Sequence, residues 1–106
     1  MSTRCNVVVV DVRTGDRTYL YHHCDGYPQG VGRELTSMLS RFRREVGERL
    51  IGSNELVRFI QQTDCAYELT AGVHGDIEYL YTLKVMPDQI VFYAEDAEGY
   101  DVMDEI

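Results

Sequence analysis

Tryptophan is absent from the chain, lysine occurs once, at Lys84, and proline twice, at Pro28 and Pro87. Basic residues of any kind are scarce: 10 Lys and Arg stand against 18 Asp and Glu, a net charge of −8. Affinity for a phosphate backbone comes from clustered basic groups, so direct nucleic-acid binding is not expected. Long apolar runs are also missing. The longest clear one, Val7 to Val10, falls far short of the roughly 20 residues of a membrane helix, so no membrane partner is expected. Broken at Asp11, it is also too short for the core of a secretory signal. The three cysteines, Cys5, Cys24 and Cys65, form no close pair, which fits a reduced cytoplasmic chain. There is no CxxC, HxxxH, GxGxxG or phosphate-loop spacing, so no metal and no cofactor are expected.

What is present suffices for one folded domain. Of 106 residues, 44% are hydrophobic and 26% charged, ordinary values for a globular chain that can bury a core. Asn6 to Arg13 is β-branched and reads as a strand ending at the turn residues Thr14-Gly15-Asp16-Arg17. Thr18 to His23 returns as a second strand. A turn centred on Gly15-Asp16 would set Val9 opposite His22 and Val7 opposite Cys24. One face then holds Val8, Val10, Val12, Tyr19, Tyr21 and His23, the other Val7, Val9, Asp11, Leu20, His22 and Cys24, so the hairpin is expected to be covered on both sides. Cys24 to Gly32, with three glycines and Pro28, reads as an irregular loop. The spacing of Leu35, Met38, Leu39, Phe42, Val46 and Leu50 predicts a helix over Glu34 to Leu50, stopped at Gly52. Its other face carries Arg33, Ser37, Arg41, Arg44 and Glu48. Ser53 or Asn54 would cap a second helix reaching Thr63. Three strands follow: Tyr67 to Val73, with Tyr67, Leu69, Ala71 and Val73 on one face; Ile77 to Val85; and Ile90 to Glu95. The last two pair with Leu83 opposite Phe92 and Val85 opposite Ile90. The order ββααβββ defines a two-layer α+β sandwich: a mostly antiparallel five-stranded sheet with two helices on one face.

The densest chemistry lies in Tyr21-His22-His23-Cys24-Asp25-Gly26-Tyr27-Pro28, where a strand runs into a glycine-rich loop. Together with the opening Met1-Ser2-Thr3-Arg4, the run His23-Cys24-Asp25-Gly26-Tyr27-Pro28 resembles a family of small uncharacterised phage and prophage proteins. Members of that family carry a His-x-Asp-Gly-Tyr-Pro motif, usually with Trp where this chain has Cys24. The resemblance covers about the first 30 residues; it implies an origin in a mobile element and no mechanism. As residues, His23 and Asp25 share a strand face and could form an acid–base pair, whereas His22 and His23 point to opposite faces and do not share one ion easily. No nucleophile stands beside them. A structural latch explains the run more simply: an Asp25-Gly26 turn, His23 bonded to Asp25 or to a carbonyl, Tyr27 packed under the helix, and Pro28 fixing the approach. Gly30 and Gly32 precede a helix N-terminus, a weak anion-site signal.

Charge is segregated. The last twelve residues hold Glu95, Asp96, Glu98, Asp101, Asp104 and Glu105 and no basic residue, leaving −2 on residues 1–94. The domain is therefore expected over 1–95, with an acidic tail over 96–106 that keeps Tyr100, Val102, Met103 and Ile106 for docking. The expected function is a non-enzymatic binding protein. Its tail (Glu95, Asp96, Glu98, Tyr100, Asp101, Asp104 and Glu105) would engage a basic surface of a host protein or complex. The segregated carboxylates, taken together with the phage-like resemblance, lead to the expectation that it inhibits a host defence system by occluding a basic nucleic-acid-binding surface, as anti-CRISPR proteins do. The alternatives are a small-ligand protein or hydrolase using the His22–Tyr27 loop, and a self-associating homodimer.

Overall fold

The computed structural model describes residues 3–47 and 51–106. Its elements are β1 (Cys5–Asp11), β2 (Arg17–His22), α1 (Arg33–Val46), α2 (Ser53–Thr63), β3 (Glu68–Thr70), β4 (Tyr79–Val85) and β5 (Ile90–Asp96). They form the expected α+β arrangement in the expected order. The sheet runs β3-β2-β1-β4-β5; every neighbouring pair is antiparallel except β1 with β4.

One face of the sheet is the core face. Cys5, Val7 and Val9 of β1, Leu20 of β2, and Tyr81, Leu83 and Val85 of β4 meet Leu35, Met38, Leu39 and Phe42 of α1 and Leu56, Val57 and Ile60 of α2. Burying the apolar stripe of both helices is the main stabilising term. The central strand β1 is buried on both faces, as its composition predicts. On the helix-free face Val8 lies between Tyr19 and Thr82, and Val10 between Arg17 and Lys84.

The hairpin register differs from the expected one by four residues: Val7 faces Leu20 and Cys5 faces His22. The turn lies earlier because Asp11 closes it, its carbonyl accepting from Gly15 N–H at 2.7 Å, with Gly15 in the left-handed region at φ 80°. A shift of four leaves every side chain on the face assigned to it, since strands alternate with period two.

The helix ends move for similar reasons. Gly47 (φ 63°) closes α1 by donating to the Arg43 carbonyl. Gly52 precedes α2 instead of stopping α1. The expected helix residues Glu48 and Leu50 lie outside the described residues. No side chain of Ser53 or Asn54 caps α2; the carboxylate of Asp11, 42 positions away, accepts the Ser53 N–H at 3.3 Å. Burial pushes the Asp11 pKa up, but the backbone N–H groups of Ser53 and Arg13 and the Arg13 guanidinium outweigh it and hold the carboxyl below the usual carboxylate range. Asp11→Ala is expected to cost about 1–3 kcal/mol in a urea melt. Because the folded pKa is depressed, this contribution is whole above about pH 4 and is lost as pH falls through the lowered value. The Asp11→Asn variant should therefore show a shallower acid limb than the parent.

Strand β3 is shorter than expected, and Leu69 (63% exposed) and Val73 (50%) are not core residues. Leu69 lies opposite the buried Leu20, at a sheet edge that the helices do not cover. From β3 the chain passes under the hairpin to reach β4 on the far side of β1. Asn6, fully buried, holds this passage: its amide donates to the Leu20 carbonyl at 2.8 Å and its oxygen accepts from His74 N–H at 2.7 Å. The Tyr21 ring stacks on His74, and its hydroxyl donates to Asp76.

Candidate functional site

The Cys24–Gly32 segment is more regular than its composition suggests. Pro28 to Gly32 form a wide helical turn, Arg33 N–H donating to the Pro28 carbonyl, that leads into α1. Proline at the first helical position lacks only a donor that would be unpaired there. Asp25 sits at φ 54°, a left-handed conformation that Asp tolerates better than most residues. Its carbonyl accepts from Val31 N–H at 2.8 Å, Gly26 N–H donates to the Thr3 carbonyl at 2.9 Å, and the buried Tyr81 hydroxyl donates to the Gly26 carbonyl at 2.6 Å. The motif thus latches through its own backbone atoms, while the Asp25 carboxylate accepts only a long bond from the exposed Tyr27 hydroxyl, at 3.5 Å. Tyr27 is 39% exposed and not packed beneath the helix.

His23 and Asp25 do not meet. His23 is exposed and pairs with Glu68 at 3.5 Å; β2 ends at His22, so the alternation that would set His23 and Asp25 on one face does not reach Asp25, whose backbone is left-handed. The histidine that is held is His22, 5% exposed at the end of β2. Its Nδ1 bonds the Cys24 carbonyl, and its Nε2 lies 3.6 Å from Asp64 Oδ2. Glu34, in the first turn of α1, completes a group of three whose ligand-type atoms all lie within 4.8 Å of one another. The Tyr67 hydroxyl donates to Glu34 Oε1 at 2.7 Å. Burial, and then the Glu34 carboxylate, raise the Tyr67 pKa, so the hydroxyl keeps its proton. Ala66 N–H donates to Asp64 Oδ1 at 2.9 Å and lowers the Asp64 pKa; partial burial opposes this and His22 adds to it. A cleft of about 300 Å³ opens over the group, with Cys24, Asp25 and Tyr27 on its wall. Neither Glu34 nor Asp64 has a local sequence signal, since they stand 12 and 42 positions from His22 and only the fold brings them together.

All three cysteines are free thiols. Burial pushes the Cys5 thiol up to about 12, with Cys24 and Glu34 adding to the shift, so it is inert at neutral pH.

The acidic C-terminus is folded. Asp101 bridges to Glu95, Val102 N–H donates to the Ala94 carbonyl at 3.0 Å, and Val102 is buried in the core at 5% exposure. Ile106 packs on the core beside Gly32. The carboxylate of Asp96 accepts from Glu98 and Tyr100 N–H, and that of Asp101 accepts from Met103 N–H. Glu95 and Asp96 are half-buried, while Glu98, Tyr100, Asp101, Met103, Asp104 and Glu105 face solvent. Among the described residues, no helix is long and apolar enough to cross a membrane.

No family model, no curated protein and no solved structure matches the chain.

Proposed function

We propose that the protein is a small acidic binding protein that acts in the host cytoplasm, where its C-terminal face occupies a basic, nucleic-acid-binding surface of a host defence complex, as an anti-CRISPR inhibitor would. The observation that carries the reading is the seating of the tail by Val102. Glu98, Asp104 and Glu105 are exposed on this anchored segment, together with Tyr100, 67% exposed, and Met103, 39% exposed. A preformed surface loses less entropy on binding than a loose tail. Carboxylates around the rim speed association with a basic partner, and an aromatic side chain is the usual anchor. The resemblance of the opening residues to phage and prophage proteins supports the same reading.

The test is a bait experiment in lysate of the native host at low and high salt. The parent chain should retain one stoichiometric protein, less of it at high salt. The triple charge reversal Glu98→Lys, Asp104→Lys, Glu105→Lys should lose it while keeping the parent's thermal melt. Nucleic acid added in excess should compete for the same partner. A partner retained equally by the reversed variant would reject the acidic face as the binding surface.

A further inference from the structure

The geometry points to a divalent-metal site formed by His22 Nε2, Glu34 and Asp64, a feature separate from the acidic C-terminal face. Each of the three side chains is held by one of its polar atoms and leaves the other for the group. His22 Nδ1 faces the Cys24 carbonyl, which can only accept, so Nδ1 carries the proton and Nε2 is left to bind. Asp64 Oδ1 is taken by Ala66 N–H, and Oδ2 faces His22. Glu34 Oε1 is taken by the Tyr67 hydroxyl, which leaves Oε2. Metal-binding histidines and carboxylates are typically oriented by such outer partners.

Charge argues the same way. The Asp64 and Glu34 carboxyl groups lie beside each other and beside His22 Nε2, and a cation at the centre of the three would relieve the repulsion between them. Among the described residues no Arg or Lys forms an ion pair with Glu34 or Asp64. An ion bound tetrahedrally at about 2.1 Å holds its ligand atoms roughly 3.4 Å apart. The His22–Asp64 separation of 3.6 Å is close to that. The Glu34 ligand atom lies within 4.8 Å of the other two, so reaching the same spacing takes a shift of at most about 1.4 Å. The donor set, one imidazole and two carboxylates, suits zinc or manganese. Magnesium and calcium favour oxygen-only ligands. With three protein ligands and a cleft over them, the remaining coordination positions are open to water or a small anion.

The full chain, stripped with chelator, is titrated calorimetrically with Zn²⁺, Mn²⁺ and Mg²⁺ in turn. One equivalent of Zn²⁺ and of Mn²⁺ should bind, with Mg²⁺ far weaker. Asp64→Asn and, independently, Glu34→Gln at an exposed position should each weaken Zn²⁺ binding at least about ten-fold, with circular dichroism showing the fold retained. Cys24→Ser with Cys65→Ser should leave binding intact. Cobalt substitution should give the visible bands of a four- or five-coordinate nitrogen and oxygen site. Three results would overturn the site: no Zn²⁺ or Mn²⁺ uptake; Zn²⁺ uptake unchanged by both carboxylate variants; or uptake abolished by the cysteine variant.

Discussion

Gly30→Ala is expected to lower stability by about 3 kcal/mol or more, the upper end for an overpacked site. A Cβ at Gly30 would stand 2.2 Å from the carbonyl oxygen of Asp25. That oxygen is backbone, already in a left-handed residue and already bonded to Val31 N–H, so it cannot step aside without opening the latch. In a domain of this size the loss corresponds to a fall in Tm of about 12 °C or more. Gly72→Ala is the internal control, because a Cβ there meets nothing within 4 Å; its melt should match the parent. If Gly30→Ala also melts like the parent, the approach of the wide turn to Asp25 is not as described, and the latch explanation of the His-x-Asp-Gly-Tyr-Pro run fails with it.

The second large effect concerns the tail. Val102→Asp should cost about 3 kcal/mol or more. The aspartate must either be buried without a partner or pull the tail from the sheet, exposing Val102's site and the core beneath Ile106. The charge reversal at Glu98, Asp104 and Glu105 should instead stay within about 0.5 kcal/mol of the parent, as exposed substitutions usually do. The contrast, read in urea melts, separates what the tail does for the fold from what its charges do for a partner. It also means that deleting residues 96–106 is a poor test of binding, since the deletion removes a core side chain along with the carboxylates.

Much of the architecture was legible because it rests on local periodicity. The stripe Leu35, Met38, Leu39 and Phe42 and the pairing of Leu83 with Phe92 follow from spacing alone. What escaped depends on partners far along the chain. The α2 cap comes from Asp11, and the parallel contact of β1 with β4 has no local sequence mark. In β3 the alternation of Tyr67, Leu69, Ala71 and Val73 resembles a core strand, yet exposure of Leu69 and Val73 follows from an edge position that periodicity does not reveal. At the site, the segment was visible but the residue was not. Of the adjacent His22 and His23, only the face turned toward Glu34 and Asp64 decides which one is held, and that depends on where two helices begin and end. The acidic tail was legible as charge; its anchoring was signalled only by the apolar Val102 and Ile106 among the carboxylates.

Hydrogen exchange at the Val102 amide tests most directly whether the acidic C-terminus is a folded face. Val102 N–H donates to Ala94, and Asp96 N–H to Tyr100. Both amides should be protected to within about ten-fold of the β4 amides, because residues of one cooperative unit open together. Exchange of both at the rate of an unstructured peptide, with β4 still protected, would show a loose tail and would contradict a preformed acidic surface.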